Sequence, residues 1–186
     1  IKILELKGQR ARGREAFRGC QGCHRADGEG LIDGTYPRLT GQHASVIIKQ
    51  VTDVRAGIRV NPKMEPFAAN HAMSPQEIAD IAVFLAAAET TKENGKGPDE
   101  ETARGKALYD RHQCATCHGL RGEGDKANAY PAVAAQHFGY LLREMEHIRD
   151  RTRGNSHPNM VRSVRSLSRR QLEEISNYLS RLPDSR

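Results

Sequence analysis

The sequence has no tryptophan, and aromatic residues make up only 5% of its 186 residues. So few large rings leave little material for an extensive protein-only core, although the apolar residues, at 37%, are too many and too regularly spaced for a disordered chain. No apolar run approaches the roughly 18 residues of a membrane-spanning helix, so we predict no membrane span. A signal peptide is also missing and the sequence begins at Ile1, so we expect a processed or trimmed chain.

Charge is distributed unevenly, and its distribution predicts two domains. Residues 1–88 carry a formal charge of +3, residues 89–101 carry −3 and residues 102–186 carry +6. The acidic middle piece is interrupted by two glycines and a proline, which is typical of a linker. We therefore predict a first domain over 1–88, a linker over 89–101 and a second, markedly basic domain over 102–186.

The two predicted domains are copies of one module. When residues 20–59 are aligned with residues 114–153 without gaps, twelve of the 40 positions are identical. Outside the cysteine motifs, the identical polar pairs include Tyr36/Tyr130, Gln42/Gln136, His43/His137, Arg55/Arg149 and Arg59/Arg153. This similarity indicates a tandem duplication, so each residue type retained in both copies is a candidate for a shared role.

Each module is predicted to be helical, with three helices and no strand of useful length. The predicted helices lie near 10–18 and 101–112, after Gln42 and after Gln136, and from Ser74 and from Ser168. The two serines are predicted N-caps, because an acid or amide follows each of them three positions later. The stretches 25–40 and 119–135 are predicted to be long loops, and their length indicates that something other than protein fills each module.

All four cysteines occur in two copies of the pattern Cys-x-x-Cys-His. The copies are Cys20, Cys23 and His24 in the first module and Cys114, Cys117 and His118 in the second. This pattern is the attachment signature of c-type haem. Two thiols three residues apart on a helical turn reach the two vinyl groups of one porphyrin, and the next residue, histidine, is held as the proximal iron ligand. We therefore predict two covalently bound haem c groups.

Three other roles for these cysteines fit the sequence less well. A single Cys₄ zinc site would need two pairs that lie about 90 residues apart, each inside its own complete module. A thioredoxin-like dithiol requires a βαβ setting, which the sequence does not predict. Two structural disulfides would leave both adjacent histidines unexplained.

The repeat indicates which residue is the sixth iron ligand in each module. Of the four methionines, only Met64 and Met160 occupy matching positions, each two residues after a proline and in a predicted loop before the last helix. Met145 falls on the apolar face of a helix and Met73 directly precedes a helix cap, so both are predicted to pack in the core. The predicted axial pairs are His24 with Met64 and His118 with Met160. The alternative is that these two methionines only pack.

The other repeated residues are predicted to surround the haem groups. Pro37 and Pro131, each 13 residues after its proximal histidine, are predicted to carry the carbonyl that accepts the free ring N–H. His43 and His137 are rival ligands, for which we predict a solvent-facing or propionate-contacting role instead. The repeated tyrosines, glutamines and arginines are predicted to contact propionates or the ring edge, and a solvated helix face is the alternative for the arginines.

On these motifs, the sequence resembles the dihaem cytochrome c4 family, in which two class-I cytochrome c domains stand in tandem. The resemblance covers roughly residues 8–182, and rests on the two haem motifs and, with their partners in the second copy, on Pro37, Gly41, Gln42, Pro62, Met64 and the helix that begins at Ser74. It implies an all-α fold and a periplasmic carrier, soluble or loosely membrane-associated, that passes electrons towards terminal oxidases. Related dihaem modules serve as electron-accepting subunits of periplasmic dehydrogenases, including sulfur-oxidising ones, which is the alternative function.

The basic second half departs from the family pattern. Its arginines include Arg149, Arg151, Arg153, Arg162, Arg165, Arg169 and Arg170. Because they bracket Met160, we predict that they form a docking surface for an acidic redox partner near the second haem. The alternative is that they offset propionate charge and otherwise face water. Nucleic-acid binding is discounted, because haem c attachment indicates a different compartment.

A dihaem enzyme with an open iron is the third functional hypothesis, and the sequence disfavours it. Each module has its own candidate methionine, no spare cysteine exists to ligate an iron, and the loops are too short to build a separate substrate pocket. We predict an electron carrier rather than an enzyme.

Overall fold

The computed structural model describes residues 3–90 and 93–184, and residues 91 and 92 of the predicted linker lie outside that range. Its regular structure is helical. The helices of the first domain are α1 (Arg10–Ala16), α2 (Gln21–His24), α3 (Ala44–Arg55), α4 (Glu65–Ala68) and α5 (Pro75–Ala86). Those of the second are α6 (Ala103–Arg111), α7 (Ala115–His118), α8 (Phe138–Arg149), α9 (Pro158–Val164) and α10 (Arg169–Arg181). Within the described residues, extended pairing is limited to an isolated bridge between Asp125 and Tyr130.

The last helix of each domain begins at the predicted capping box, and this prediction is confirmed. Ser74 Oγ accepts a hydrogen bond from the Glu77 N–H, and the Glu77 carboxylate accepts one from the Ser74 N–H at 2.8 Å. Ser168 and Gln171 make the same reciprocal pair at the start of α10. Each box satisfies N–H groups that the first helical turn would otherwise leave without acceptors.

The first and last helices of each domain cross in close contact at a glycine. A Cβ atom on Gly13 of α1 would lie 2.0 Å from the carbonyl oxygen of Asp80 in α5. A Cβ atom on Gly105 of α6 would lie 2.1 Å from the carbonyl oxygen of Glu174 in α10. Only glycine allows the two backbones to approach so closely.

Each domain has its own apolar cluster, as a tandem duplication requires. The first includes Phe17, Ile47, Ile78 and Leu85, and the second includes Tyr109, Leu141, Leu172 and Ile175. Met73 and Met145 are buried in these clusters, as predicted. Helix α3 ends at Arg55, and Ile58, which follows it, is exposed.

The described part of the predicted linker lies against the second domain. Asn94 Nδ2 donates to the carbonyl oxygens of Gln136 and Ser180 at 3.1 and 2.7 Å, and the Gly97 N–H donates to Ser180 Oγ at 3.1 Å. The limits of the linker at 89 and 101 stay a prediction. Within residues 3–90 and 93–184, no helix has the length and apolar character needed to cross a membrane.

Candidate haem sites and the domain interface

Cys23 and Cys117 lie within the short helices α2 and α7, and Cys20 and Cys114 are the N-cap residues of these helices. Each pair is half-buried and unbridged by a disulfide. Burial raises the pKa of Cys20 to about 11, with a smaller contribution from Cys23, and burial also raises the pKa of Cys114 to about 11. Thiols with such pKa values stay protonated at neutral pH. Among the described residues, no three His, Cys, Asp or Glu side chains come together as a metal site.

In the first domain, the predicted ligands His24 and Met64 line one apolar pocket. Its walls are formed by Phe17, Cys20, His24, Leu39, Ile47, Val51, Met64, Met73, Ile78, Ile81 and Leu85. Burial lowers the pKa of His24, which favours the neutral imidazole that a metal requires. An apolar cradle with one thiol, one neutral imidazole and two thioethers on its walls fits a haem group by donor chemistry and polarity.

In the second domain, the predicted site has the same composition. Cys114 and Met160 are partly buried against the apolar cluster. Met160 lies inside α9, so the prediction of a loop at this position is wrong: Pro158 starts a helix there, with His157 as its N-cap. His118 Nδ1 lies 2.9 Å from the carbonyl oxygen of Pro131 and donates to it, which leaves Nε2 as the nitrogen available to a metal.

The two proximal histidines differ in their backbone contacts. Burial lowers the pKa of His118, and the Pro131 carbonyl opposes this effect. The Pro37 carbonyl likewise acts to raise the pKa of His24. However, His24 Nδ1 is buried and has no acceptor within hydrogen-bonding geometry among the described residues. In both domains the proline carbonyl therefore faces the proximal histidine. Among the described residues, the hydrogen bond forms between His118 and Pro131 but not between His24 and Pro37.

Gln42 and Gln136 lie buried between the two domains. Gln42 Oε1 accepts from the Ala132 N–H at 3.0 Å, and Gln42 Nε2 donates to the Ala132 carbonyl at 2.9 Å. Gln136 makes the same pair of bonds with the backbone of Arg38, both at 2.9 Å. Because residues 38 and 132 are themselves repeat partners, the two glutamines exchange identical contacts, as in an isologous dimer.

His43 and His137 also cross the interface, and His137 is buried there rather than facing solvent as predicted. A contact of either histidine with a propionate stays a prediction. His43 Nε2 lies 2.8 Å from the carbonyl oxygen of Glu123, and His137 Nε2 lies 2.7 Å from that of Glu29. Both carbonyls belong to matching positions of the repeat. The identity of Gln and His in both copies was the available signal, but a repeated residue does not show which neighbour it contacts.

A third set of contacts surrounds the repeated arginines Arg59 and Arg153. Arg59 Nη2 donates to Glu144 at 3.1 Å, while Arg153 donates to Glu144 at 2.8 Å and to Gln50 at 2.9 Å. Gln50 and Glu144 are repeat partners, so each arginine again reaches the opposite domain. Arg59 and Arg153 therefore lie at the interface rather than on a solvated face.

A buried ion pair without a counterpart in the repeat lies in the same interface. Arg38 Nε and Glu29 Oε2 are 2.6 Å apart, and both side chains are almost fully buried. Arg38 Nη1 also donates to the carbonyl of Ala135 in the other domain at 2.9 Å. Ala132 occupies the matching position of the second module, so Arg38 is not among the residues that the two copies share.

Most of the basic cluster is neutralised by neighbouring carboxylates. Arg149 pairs with Asp150 at 2.7 Å, Arg169 with Glu146 at 2.8 Å and Arg170 with Glu174 at 3.4 Å. The exposed residues Arg151, Arg162 and Arg165 make no ion pair within the described residues. The predicted docking surface is thus reduced to these three cations.

Two helical domains, each with a Cys-x-x-Cys-His motif beside an apolar cradle, define a c-type cytochrome with two covalent haem groups. The family model described as "Cytochrome c" matches residues 10–89 and 102–183. Cytochrome c4 of Thiocapsa roseopersicina is 31% identical over 172 residues, which cover 88% of this chain and 86% of that protein. Cytochrome c4 of Azotobacter vinelandii is 28% identical over 97% of this chain and 92% of its own. The chain belongs to the dihaem cytochrome c4 family.

Two further proteins are similar over nearly the whole chain. The "Thiosulfate dehydrogenase electron acceptor" of Stutzerimonas stutzeri is 30% identical over 96% of this chain and 89% of its own. The crystal structure of reduced cytochrome c4 from Pseudomonas stutzeri superposes with a TM-score of 0.84 at 23% identity, covering 95% of this chain and all of that one. The predictions of a tandem all-α fold, two haem c groups and an electron carrier are confirmed by these relatives.

Proposed function

We propose that this protein is a periplasmic one-electron carrier in which His24 with Met64 and His118 with Met160 hold the two irons. Covalently bound haem supplies a one-electron Fe(III)/Fe(II) couple. The observation that carries the proposal is the shared pocket of the first domain, whose walls include both the His24 imidazole and the Met64 thioether. An iron ligated by a histidine and a methionine from the walls of one pocket would have no open coordination position. Such a closed site suits electron transfer rather than substrate binding.

An absorption spectrum of the purified protein tests this proposal. We expect two c-type haems per chain, a far-red Met–Fe(III) band in the oxidised state, and no change of the reduced spectrum on addition of carbon monoxide. Binding of carbon monoxide to one haem would contradict the methionine assignment in that domain. It would also favour the hypothesis of a dihaem enzyme with an open iron.

A second candidate function is that of an electron-accepting subunit of a periplasmic dehydrogenase, for example one that acts on sulfur compounds. It is favoured by the relative whose name is "Thiosulfate dehydrogenase electron acceptor". The three unpaired arginines Arg151, Arg162 and Arg165 support an acidic docking surface on the partner in either case. Co-elution with a dehydrogenase from the native source separates a bound subunit from a free carrier.

A further inference from the structure

The peptide unit between Pro131 and Ala132 is hydrogen-bonded on both sides. Its carbonyl accepts from His118 Nδ1 at 2.9 Å, and its N–H donates to Gln42 Oε1 at 3.0 Å. Gln42 belongs to the first domain and His118 to the second. A side chain of one domain is thus joined, through a single peptide, to the predicted iron ligand of the other.

The orientation of the Gln42 amide is determined by three backbone groups. Oε1 accepts from the N–H groups of Ala132 and His43, both at 3.0 Å, and Nε2 donates to the Ala132 carbonyl at 2.9 Å. Gln42 and Ala132 are both buried, so water does not compete for these bonds. The amide oxygen is therefore held against the peptide that His118 contacts.

We propose that Gln42 lowers the reduction potential of the second haem from across the domain interface, an inference that rests on the proposed ligation of that haem by His118. A peptide whose N–H is hydrogen-bonded is polarised, and its carbonyl becomes a stronger acceptor. A stronger acceptor draws the Nδ1 proton away from the His118 ring and makes the imidazole a better electron donor. A better donor stabilises Fe(III) relative to Fe(II), which lowers the potential.

The first domain provides an internal comparison. Gln136 Oε1 accepts from the Arg38 N–H at 2.9 Å, so the peptide between Pro37 and Arg38 is polarised in the same way. His24 Nδ1, however, forms no hydrogen bond within the described residues. The influence of Gln136 on the first haem is therefore weaker than that of Gln42 on the second.

The test is Gln42→Leu in the intact dihaem protein, with both midpoint potentials measured by spectroelectrochemistry and assigned to their haems. We expect the second haem to rise in potential and the first to stay unchanged. The electron-sharing equilibrium should move towards the second haem by about threefold to tenfold, where tenfold corresponds to about 59 mV for one electron. In the reduced protein, the His118 Nδ1 proton resonance should move upfield. Gln42→Asn, which withdraws the amide by one methylene, should act in the same direction.

His43→Leu is the matched control. It removes the bond from His43 Nε2 to the Glu123 carbonyl and weakens the same interface, but it leaves the peptide at Pro131 untouched. A shift of both haems in Gln42→Leu, or an equal shift in His43→Leu, would overturn the proposal in favour of general loosening of the interface. An unchanged potential with an intact far-red band would overturn the role of Gln42, whereas a wild-type protein without that band would overturn the methionine ligation of the proposed function instead.

Discussion

His137 Nε2 lies 2.7 Å from the carbonyl oxygen of Glu29, so the N-cap histidine of α8 is bonded to the backbone of the other domain. The second ring nitrogen, Nδ1, accepts from the Gly95 N–H at 3.0 Å. With one nitrogen donating and the other accepting, the ring must be neutral. Burial lowers the pKa of His137 and Arg38 lowers it further, whereas the Glu29 carbonyl and Asp33 oppose these effects.

This histidine predicts a loss of stability in mild acid. Because its pKa is lower in the folded than in the unfolded state, His137 stabilises the fold above the unfolded pKa of about 6.5, and this contribution is lost as the pH falls below it. His137→Gln should therefore flatten the decline in the free energy of unfolding between about pH 7 and pH 5, measured by denaturant titration. His71→Gln, at an exposed position, should keep the wild-type slope. Equal slopes in wild type and His137→Gln would contradict the prediction.

The methionine assignments predict that replacing a ligand methionine changes the spectrum, whereas replacing the core methionine of the same domain does not. Met64→Ala should abolish the far-red absorption of the first haem and allow carbon monoxide to bind there. Met73→Ala removes a second methionine from the same pocket and should leave the band intact. Met160→Ala and Met145→Ala form the corresponding pair in the second domain. A band lost in the Met73 or Met145 variant alone would reverse the assignment in that domain.

The contacts of Arg55 predict that its replacement destabilises the protein more than replacement of Arg149, which occupies the matching position of the repeat. Arg55 Nε donates to the carbonyl of Ala68 at 2.6 Å and Nη2 to that of Met73 at 2.5 Å, which holds the segment after Met64 against α3. Arg55→Gln leaves these carbonyls without their partner and should lower the free energy of unfolding by about 2 kcal/mol.

Arg149 occupies the matching position and pairs with Asp150 instead. Since this contact lies at the surface, Arg149→Gln should leave the free energy of unfolding close to the wild-type value. Chemical denaturation monitored by circular dichroism compares the two variants. A loss in Arg55→Gln as small as that expected for Arg149→Gln would show that the Arg55 contacts do not stabilise the domain.

The unpaired cations of the second domain predict salt-dependent electron transfer. Changing Arg151, Arg162 and Arg165 together to glutamine should slow electron transfer to an acidic redox partner several-fold at low ionic strength and flatten its decline with salt. Arg10→Gln, at an exposed position of the first domain, should leave both quantities unchanged. Stopped-flow rates over a range of ionic strength measure the effect, and a flat response of the wild type would remove the docking role.

Much of the fold and of the haem chemistry could be predicted from local pattern. The cysteine motifs, the capping boxes at Ser74 and Ser168 and the buried methionines Met73 and Met145 all depend on spacings of a few residues, which the chain displays directly. The helix around Met160 was missed because its apolar pattern is short and its N-cap is a histidine, which is not a usual cap.

The amino-acid sequence by itself determined the duplication, the all-α class and the two haem attachment sites, because covalent attachment and helix capping act between near neighbours. Only the tertiary structure decided what Gln42, His43 and their repeat partners contact, since their bonds join residues about 80 to 108 positions apart. A repeat shows that a residue is kept in both copies, but not whether it contacts its own module or the other one. In this protein the two modules pack against each other so that these residues contact the other module.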